Sequence, residues 1–263
     1  MRIGIIGKGA IGSYVRRKLL ERGYSVRAIL QRQDVSEGRA SEVDGLVCVS
    51  TVAELPDDID HVIDCAGHQA LQIHGPEILR RGMDLTTVSI GALADDALHR
   101  SLLQAAADGN SRLHLASGAI GALDCLRAAR MGQLTNVTYT GRKPPRSWKG
   151  SPAESRLDLD RLEGAAETHF DGSARQAAVD YPQNANVAAA VALSGIGFDD
   201  TRVRLIADPN IAENIHAIEA SGDFGQFSFE IRGRSLPDNP KSSALAAMSV
   251  LAQLEQQTRR MSF

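Results

Sequence analysis

Three glycines stand at a spacing that does chemistry. Gly7, Gly9 and Gly12 form G-x-G-x-x-G within Gly7-Lys8-Gly9-Ala10-Ile11-Gly12, directly after the apolar run Arg2 to Ile6 and before the amphipathic segment Ser13 to Arg22. Strand, glycine turn and helix in that order form a phosphate cradle. Gly7 permits the tight turn, Gly9 lets a pyrophosphate approach the backbone, and Gly12 lets helix and strand pack closely. The first helical N–H groups, those of Ala10 and Ile11 included, point at the phosphates with the positive end of the helix dipole behind them. A second chemical group lies far along the chain. His216 shares a strand face with Ile218, and a side chain with an ordinary pKa of about 6.5 suits acid–base work near neutrality. From sequence alone a satisfied core histidine remains an alternative. Cations form the third group: Arg142, Lys143 and Arg146 flank Pro144 and Pro145, and Lys241 follows Pro240. Arg and Lys there suit an anionic ligand, and a solvated charged loop is the competing reading.

The elements that must carry these groups alternate between strand and helix up to about residue 120. Strands are expected at Tyr24 to Leu30, His61 to Cys65, Asp84 to Val88 and Arg112 to Leu115, and helices at Gln69 to Arg81 and Leu93 to Ala107. This pattern predicts an α/β fold, a doubly wound parallel sheet of Rossmann type over residues 1–116. At the strands' carboxyl ends stand Cys65-Ala66-Gly67, Ser89-Ile90-Gly91 and Ser117-Gly118-Ala119-Ile120-Gly121, which makes Cys65, Ala66, Gly67, Ser89 and Ala119 candidate cofactor contacts. The second strand ends in Gln31-Arg32-Gln33 rather than in a carboxylate, and Asp34 comes late. Arg32 can hold a 2′-phosphate or be a solvated loop residue, so NAD and NADP both remain open.

From Asn136 the periodicity changes to two. Val137 to Thr140, Arg202 to Ala207, Asn214 to Ala220 and Phe224 to Arg232 read as strands of a hairpin-linked, mostly antiparallel sheet in an α+β second domain, residues 117–239. Gly141 to Arg146 reads as a stiff basic loop. Asn184 or Asn186 is expected to cap an apolar helix, Val187 to Leu193; an amide there can instead touch nicotinamide or substrate. Residues 240–263 form a helix packing back on the first domain, with Leu245, Met248, Leu251 and Leu254 on its buried face and Asn239 or Ser242 as its cap.

Composition narrows the function classes. The chain has 263 residues, 43% hydrophobic and 23% charged, with a net charge of −3. No basic patch suggests nucleic acid, and no apolar run reaches membrane-span length. No signal peptide precedes the first strand, which predicts a cytoplasmic location. The three cysteines, Cys48, Cys65 and Cys125, show no metal spacing and read as reduced thiols.

The segments Ser117-Gly118-Ala119-Ile120-Gly121, Gly141-Arg142-Lys143-Pro144-Pro145, Tyr181-Pro182-Gln183-Asn184-Ala185-Asn186-Val187-Ala188-Ala189, Asp208-Pro209 with Asn214-Ile215-His216, Gly222-Asp223-Phe224-Gly225 and Asn239-Pro240-Lys241-Ser242-Ser243 resemble those of the L-aspartate dehydrogenase family, in the family's order. One position differs: Tyr181 stands before Pro182, where phenylalanine is expected. The resemblance implies NAD(P)-dependent oxidative deamination of L-aspartate through iminosuccinate to oxaloacetate and ammonia, reversible as reductive amination. It implies His216 as the active-site histidine, a base for attack of water on the iminium, and Ala119 and Asn186 as cofactor contacts. It also implies a homodimer, expected through the second-domain sheet. Two substrate carboxylates need cations, for which Arg142, Lys143 and Lys241 are candidates. The competing readings are another two-domain reductase, of homoserine dehydrogenase or dihydrodipicolinate reductase type, and a non-catalytic NAD(P)H-binding redox sensor.

Overall fold

The computed structural model describes residues 1–32, 42–43, 46–236 and 239–261. The chain divides into two compact units, Met1–Ala116 with Ala246–Phe263, and Ser117–Leu245.

The first unit is built on short apolar strands: β1 (Arg2–Ile6), β2 (Ser25–Leu30), β3 (Glu42–Val43), β4 (Leu46–Val49), β5 (His61–Asp64), β6 (Asp84–Thr87) and β7 (Leu113–Leu115). They form one sheet in the order β3-β4-β2-β1-β5-β6-β7. Every pair is parallel except β3–β4, at the edge. Helices α1 (Ala10–Glu21), α2 (His68–Arg80) and α3 (Asp96–Asp108) connect the strands. The chain moves outward from β1 to β2 and then returns to β5 on β1's other side. The switch point therefore lies at the carboxyl ends of β1 and β5, where a doubly wound sheet opens a crevice for ligand. Helix α3 starts one turn later than its pattern suggests, because Ile90–Ala94 forms a 3₁₀ turn and the Asp95 carboxylate then caps the helix by accepting from the N–H groups of Ala97 (2.8 Å) and Leu98 (3.2 Å).

The second unit contains α4 (Leu123–Ala129), β8 (Leu134–Lys143), β9 (Glu167–Ser173), α5 (Ala174–Asp180), α6 (Asn186–Ser194), β10 (Arg202–Ala207), β11 (Asn214–Gly222), β12 (Gly225–Gly233), and a small ladder of β13 (Ser235–Leu236) with β14 (Asn239–Ser243). The main sheet runs β12-β11-β8-β10-β9. It corrects the sequence reading in two ways. β10 pairs parallel with β8, so the sheet is mixed rather than a string of hairpins. Residues 150–180, outside every strand and helix expected from the sequence, supply β9 and α5, the helix started by a capping box between Ser173 and Gln176. Period-two alternation is clear on β8, where Val137, Tyr139 and Gly141 are buried. The same face holds Val203 and Leu205 of β10 and His216, Ile218 and Ala220 of β11. Helix α6 is buried almost all round, which its small Ala-rich side chains permit.

The last helix, α7 (Ala244–Thr258), sends Val250, Leu251 and Leu254 into the core of the first unit, beside Ile3, Ile5, Val15, Leu19 and Ile63. Met248, expected on the buried stripe, is 46% exposed, and Ala247 is buried in its place. Asn239 and Ser242, expected as caps, lie within β14. Of the three cysteines, all free thiols, Cys125 is exposed.

Candidate functional site

In the first unit the site is mostly backbone. Gly7 has φ +95°, and its N–H donates to the Leu30 carbonyl at 2.9 Å, which ties the turn to the end of β2. A Cβ at Gly12 would lie 2.3 Å from the Gly7 carbonyl oxygen, so helix and turn touch at a distance only glycine allows. Gly9 is exposed, and a Cβ there would meet nothing within 4 Å. The space above it is open, as a pyrophosphate requires. Helix α1 begins at Ala10, Ile11 and Gly12 with no side-chain cap and no acid in its first turn. Its leading N–H groups are thus not claimed by a cap of its own.

The facing loop is fixed by a carboxylate. Asp64 is fully buried and accepts from the Ala66 N–H (2.9 Å), the Thr87 hydroxyl (2.7 Å) and the Ser89 hydroxyl (2.6 Å). Burial pushes its pKa up, while these three hydrogen bonds pull it down. Cys65, Ala66 and Gly67 are thereby set at the carboxyl end of β5, next to Gly7: a Cβ on Gly7 would lie 3.0 Å from that of Ala66. Burial holds the Cys65 thiol protonated, so it is inert packing. Arg32 is exposed just past β2, and Asp34 lies outside the described residues.

In the second unit the site is made of side chains from separate strands. His216 of β11 pairs across the ladder with Gly141 of β8. Tyr139 and Lys143 lie two residues to either side of Gly141, so all three side-chain positions share the face of His216. The Tyr139 hydroxyl lies 2.7 Å from His216 Nδ1. Only 4% of His216 is exposed; burial, and secondarily the Lys143 charge, lower its pKa to about 3. The Lys143 Nζ donates to Asn184 Oδ1 at 2.6 Å and lies 4.9 Å from the centre of the Trp148 ring. Burial pulls its pKa down to about 8. Among the described residues it has no carboxylate partner. A second histidine belongs to the same cluster. His169 bonds the Tyr181 hydroxyl through Nδ1 at 3.1 Å and sits edge-on to Trp148, 4.3 Å between ring centres. The tyrosine found where phenylalanine was expected thus gives its hydroxyl a partner.

Three readings change here. Gly141 to Lys143 continue β8 and do not form a loop, so Arg142 and Lys143 point to opposite faces. Arg142 meets Asp208 at 3.3 Å. Neither Asn184 nor Asn186 caps α6 through its side chain: the N-cap is Ala185, and the Asn184 amide accepts from Lys143. Ala119 is buried in the turn before α4, Asn186 opens α6, and the side chain of Lys241 lies outside the described residues. Sequence reading missed Tyr139, Asp64 and the Lys143–Asn184 pair. The signal for Tyr139 was present in the alternation of Tyr139, Gly141 and Lys143, but it gains meaning only once β8 is registered against β11.

Comparison with known proteins agrees with this division. Residues 7–116 match the model described as homoserine dehydrogenase, NAD binding domain, and residues 124–257 match the one described as aspartate dehydrogenase, C-terminal. An L-aspartate dehydrogenase of Ruegeria pomeroyi is 51% identical over 97% of this chain and 92% of its own length. The chain belongs to the L-aspartate dehydrogenase family. Within that family, the L-aspartate dehydrogenase of Pseudomonas aeruginosa is 46% identical over 97% of this chain and 96% of its own. The crystal structure of aspartate dehydrogenase from Thermotoga maritima superposes with a TM-score of 0.78 at 28% identity, covering 100% of this chain and 99% of that one. The homoserine dehydrogenase model covers the cofactor-binding half, and the half that carries His216 is covered by the aspartate dehydrogenase one.

Proposed function

We propose that this chain catalyses the NAD(P)-dependent oxidative deamination of L-aspartate to iminosuccinate, then oxaloacetate and ammonia, and the reverse reductive amination. The observation that carries the reading is the buried sheet face of His216, Tyr139 and Lys143, which lies inside the segment matched by the aspartate dehydrogenase C-terminal model.

The dinucleotide fits the residues present, since the cradle at Gly7, Gly9 and Gly12 is open above Gly9 and closed to any side chain at Gly12. The backbones of Gly7, Gly9, Ala10, Ile11 and Gly12 would hold the pyrophosphate. Cys65, Ala66, Gly67 and Ser89 would line the loops fixed by Asp64, and Arg32 would meet the ribose or its 2′-phosphate. Ala119 and Asn186 are assigned to the cofactor by family likeness. When bound, the cofactor supplies a hydride acceptor for the hydrogen on Cα of the amino acid.

Lys143, held by Asn184 and lacking a protein counter-ion among the described residues, would bind a substrate carboxylate. Lys241 is retained as a second cation on sequence grounds, and Arg142, drawn to Asp208, ranks below both. His216 acts where water is added and ammonia lost. Since Tyr139 occupies Nδ1, the nitrogen it presents is Nε2. Among the described residues no helix is long and apolar enough to cross a membrane. We place the enzyme in the cytoplasm as a homodimer through the outer face of the five-stranded sheet, which light scattering on the purified protein would test.

The direct test is absorbance at 340 nm with L-aspartate and NAD or NADP, beside homoserine, glutamate and alanine, and with oxaloacetate plus ammonia in reverse. Turnover with aspartate alone is expected. None in either direction would overturn the reading and favour another reductase or a cofactor-binding sensor.

A further inference from the structure

The contact between Tyr139 and His216 fixes more than the angle of a ring. Gly141, opposite His216, contributes no side chain, and a Cβ there would lie 2.8 Å from the Tyr139 hydroxyl and 3.3 Å from Leu205 Cδ2. The phenol lies over this gap and reaches Nδ1 at 2.7 Å, with the two rings within 15° of parallel. Both side chains are buried, Tyr139 being 1% exposed and His216 4%. The residues paired with Tyr139 across the sheet are Ile218 and Val203, which offer no side-chain acceptor. Among the described residues the hydroxyl has no hydrogen-bond partner other than Nδ1.

That leaves two arrangements of the neutral pair. In one, Nδ1–H donates to the phenol oxygen and the buried O–H has nothing to donate to, at a cost of about 1–3 kcal/mol. In the other, the phenol donates to the Nδ1 lone pair, every polar hydrogen of the contact is used, and the imidazole carries its proton on Nε2. Burial opposes ionisation of the phenol, so the donor is always present. The second arrangement is favoured by the cost of stranding the hydroxyl.

We propose that Tyr139 is a positioning residue that fixes His216 as its Nε2–H tautomer, so that His216 meets the substrate as a neutral hydrogen-bond donor and not as a base. The proposal rests on the placement of His216 in the active site. A neutral imidazole donor polarises an oxygen without giving up its proton. In the reductive direction that oxygen is the carbonyl oxygen of the oxo acid, and in the oxidative direction it is the hydroxyl oxygen of the carbinolamine at Cα, which becomes that carbonyl as its proton passes to the departing amine. No bond forms or breaks at the ring, and its proton stays on Nε2.

The tautomer can be read without turnover. In cofactor-free protein labelled with ¹⁵N-histidine, long-range ¹H–¹⁵N correlation separates a protonated from an unprotonated ring nitrogen, and the His216 signals are those lost in His216→Gln. A single Nε2–H form is expected in the unsubstituted protein, and a mixture of tautomers in Tyr139→Phe, which keeps the ring's shape. An Nδ1–H form, or an unchanged ring spectrum in Tyr139→Phe, would overturn the proposal. The activity arm compares His216→Gln, whose amide can donate but cannot act as a base, with His216→Ala. The glutamine variant is expected to retain roughly 10-fold more kcat for aspartate, about one neutral hydrogen bond. Equal losses would overturn the donor role. Failure of the unsubstituted protein to oxidise aspartate would instead sink the proposed function, and full activity in His216→Ala would remove His216 from the site. The spectrum decides the tautomer in either case.

Discussion

The two units do chemistry with different materials. The first offers backbone: three glycines within six residues, a helix start, and a loop pinned by one buried carboxylate. The second offers side chains gathered from β8, β11 and the segment before α6, brought together by strand register. A backbone site binds a group common to many enzymes, and any change of side chain there is mainly a steric error. A side-chain site selects one substrate, and its residues fail one by one with distinct kinetic signatures. In keeping with this difference, the first unit matches a model named for a different dehydrogenase and the second matches the aspartate dehydrogenase C-terminal model.

Substitutions in the two units should therefore separate in kcat and KM. The largest effect is expected from His216→Ala, with kcat for aspartate falling about 10²–10³-fold, the cost of losing one preorganised hydrogen-bond donor, and the KM for NAD unchanged in steady-state assays. Next comes Gly12→Ala. Its Cβ would lie 2.3 Å from a backbone oxygen that cannot turn away. The cradle must open, lowering kcat/KM for the cofactor by about 10²-fold and stability by about 1–3 kcal/mol, with little change in aspartate dependence. A Gly12→Ala enzyme impaired only toward aspartate would break the comparison. Lys143→Met is expected to raise the KM for aspartate about 10- to 100-fold, the worth of a charge-assisted hydrogen bond, leaving the cofactor KM unaltered; an unchanged aspartate KM would remove Lys143 from the substrate site. A smaller effect belongs to Arg32→Ser. Arg32 is exposed, so its loss should shift the NADP-to-NAD preference by no more than about tenfold, and an unaltered ratio would make it a solvated loop residue.

Acid should also distinguish the units. Burial lowers the pKa of His61, in the first unit, to about 4, and of His169 and His216, in the second, to about 4 and about 3. The native protein thus binds fewer protons than the unfolded chain from about pH 6.5 downward. The stability these neutral rings contribute is complete above about pH 6.5 and is lost as the pH falls toward 4. Calorimetry at pH 7.5 and pH 5 should show a lower Tm in acid, with the second unit losing more, because His74 of the first unit is only partly buried and the raised pKa of the buried Asp64 works in the opposite sense.

Legibility in the sequence followed the same divide. The glycine cradle was fully visible, because its function depends on residues within one turn of chain and on the absence of side chains. The loops at Cys65 and Ser89 were visible as positions, but Asp64, which fixes both, was hidden inside an apolar strand as a polar letter whose side-chain partners lie at the end of β6 and just past it. In the second unit His216 and Lys143 were visible as residue types. The loop expected at Arg142 and Lys143 is strand because β10 and β11 hydrogen-bond to β8 on both sides, and no local pattern reports pairing across more than sixty residues of chain. The asparagines expected to cap α6 illustrate the same limit, since Asn184 is claimed by a lysine 41 residues away.

What the sequence determined by itself was therefore local or periodic: the cradle, the alternation of strand and helix in the first unit, and the period-two strands of the second. Only the tertiary structure decided that β10 runs parallel to β8, that Arg142 and Lys143 face apart, and that a tyrosine 77 residues from His216 holds its Nδ1. The physical reason is that hydrogen bonding and burial between distant strands set each side chain's surroundings. Those surroundings, more than residue type, fix which nitrogen of a histidine carries its proton.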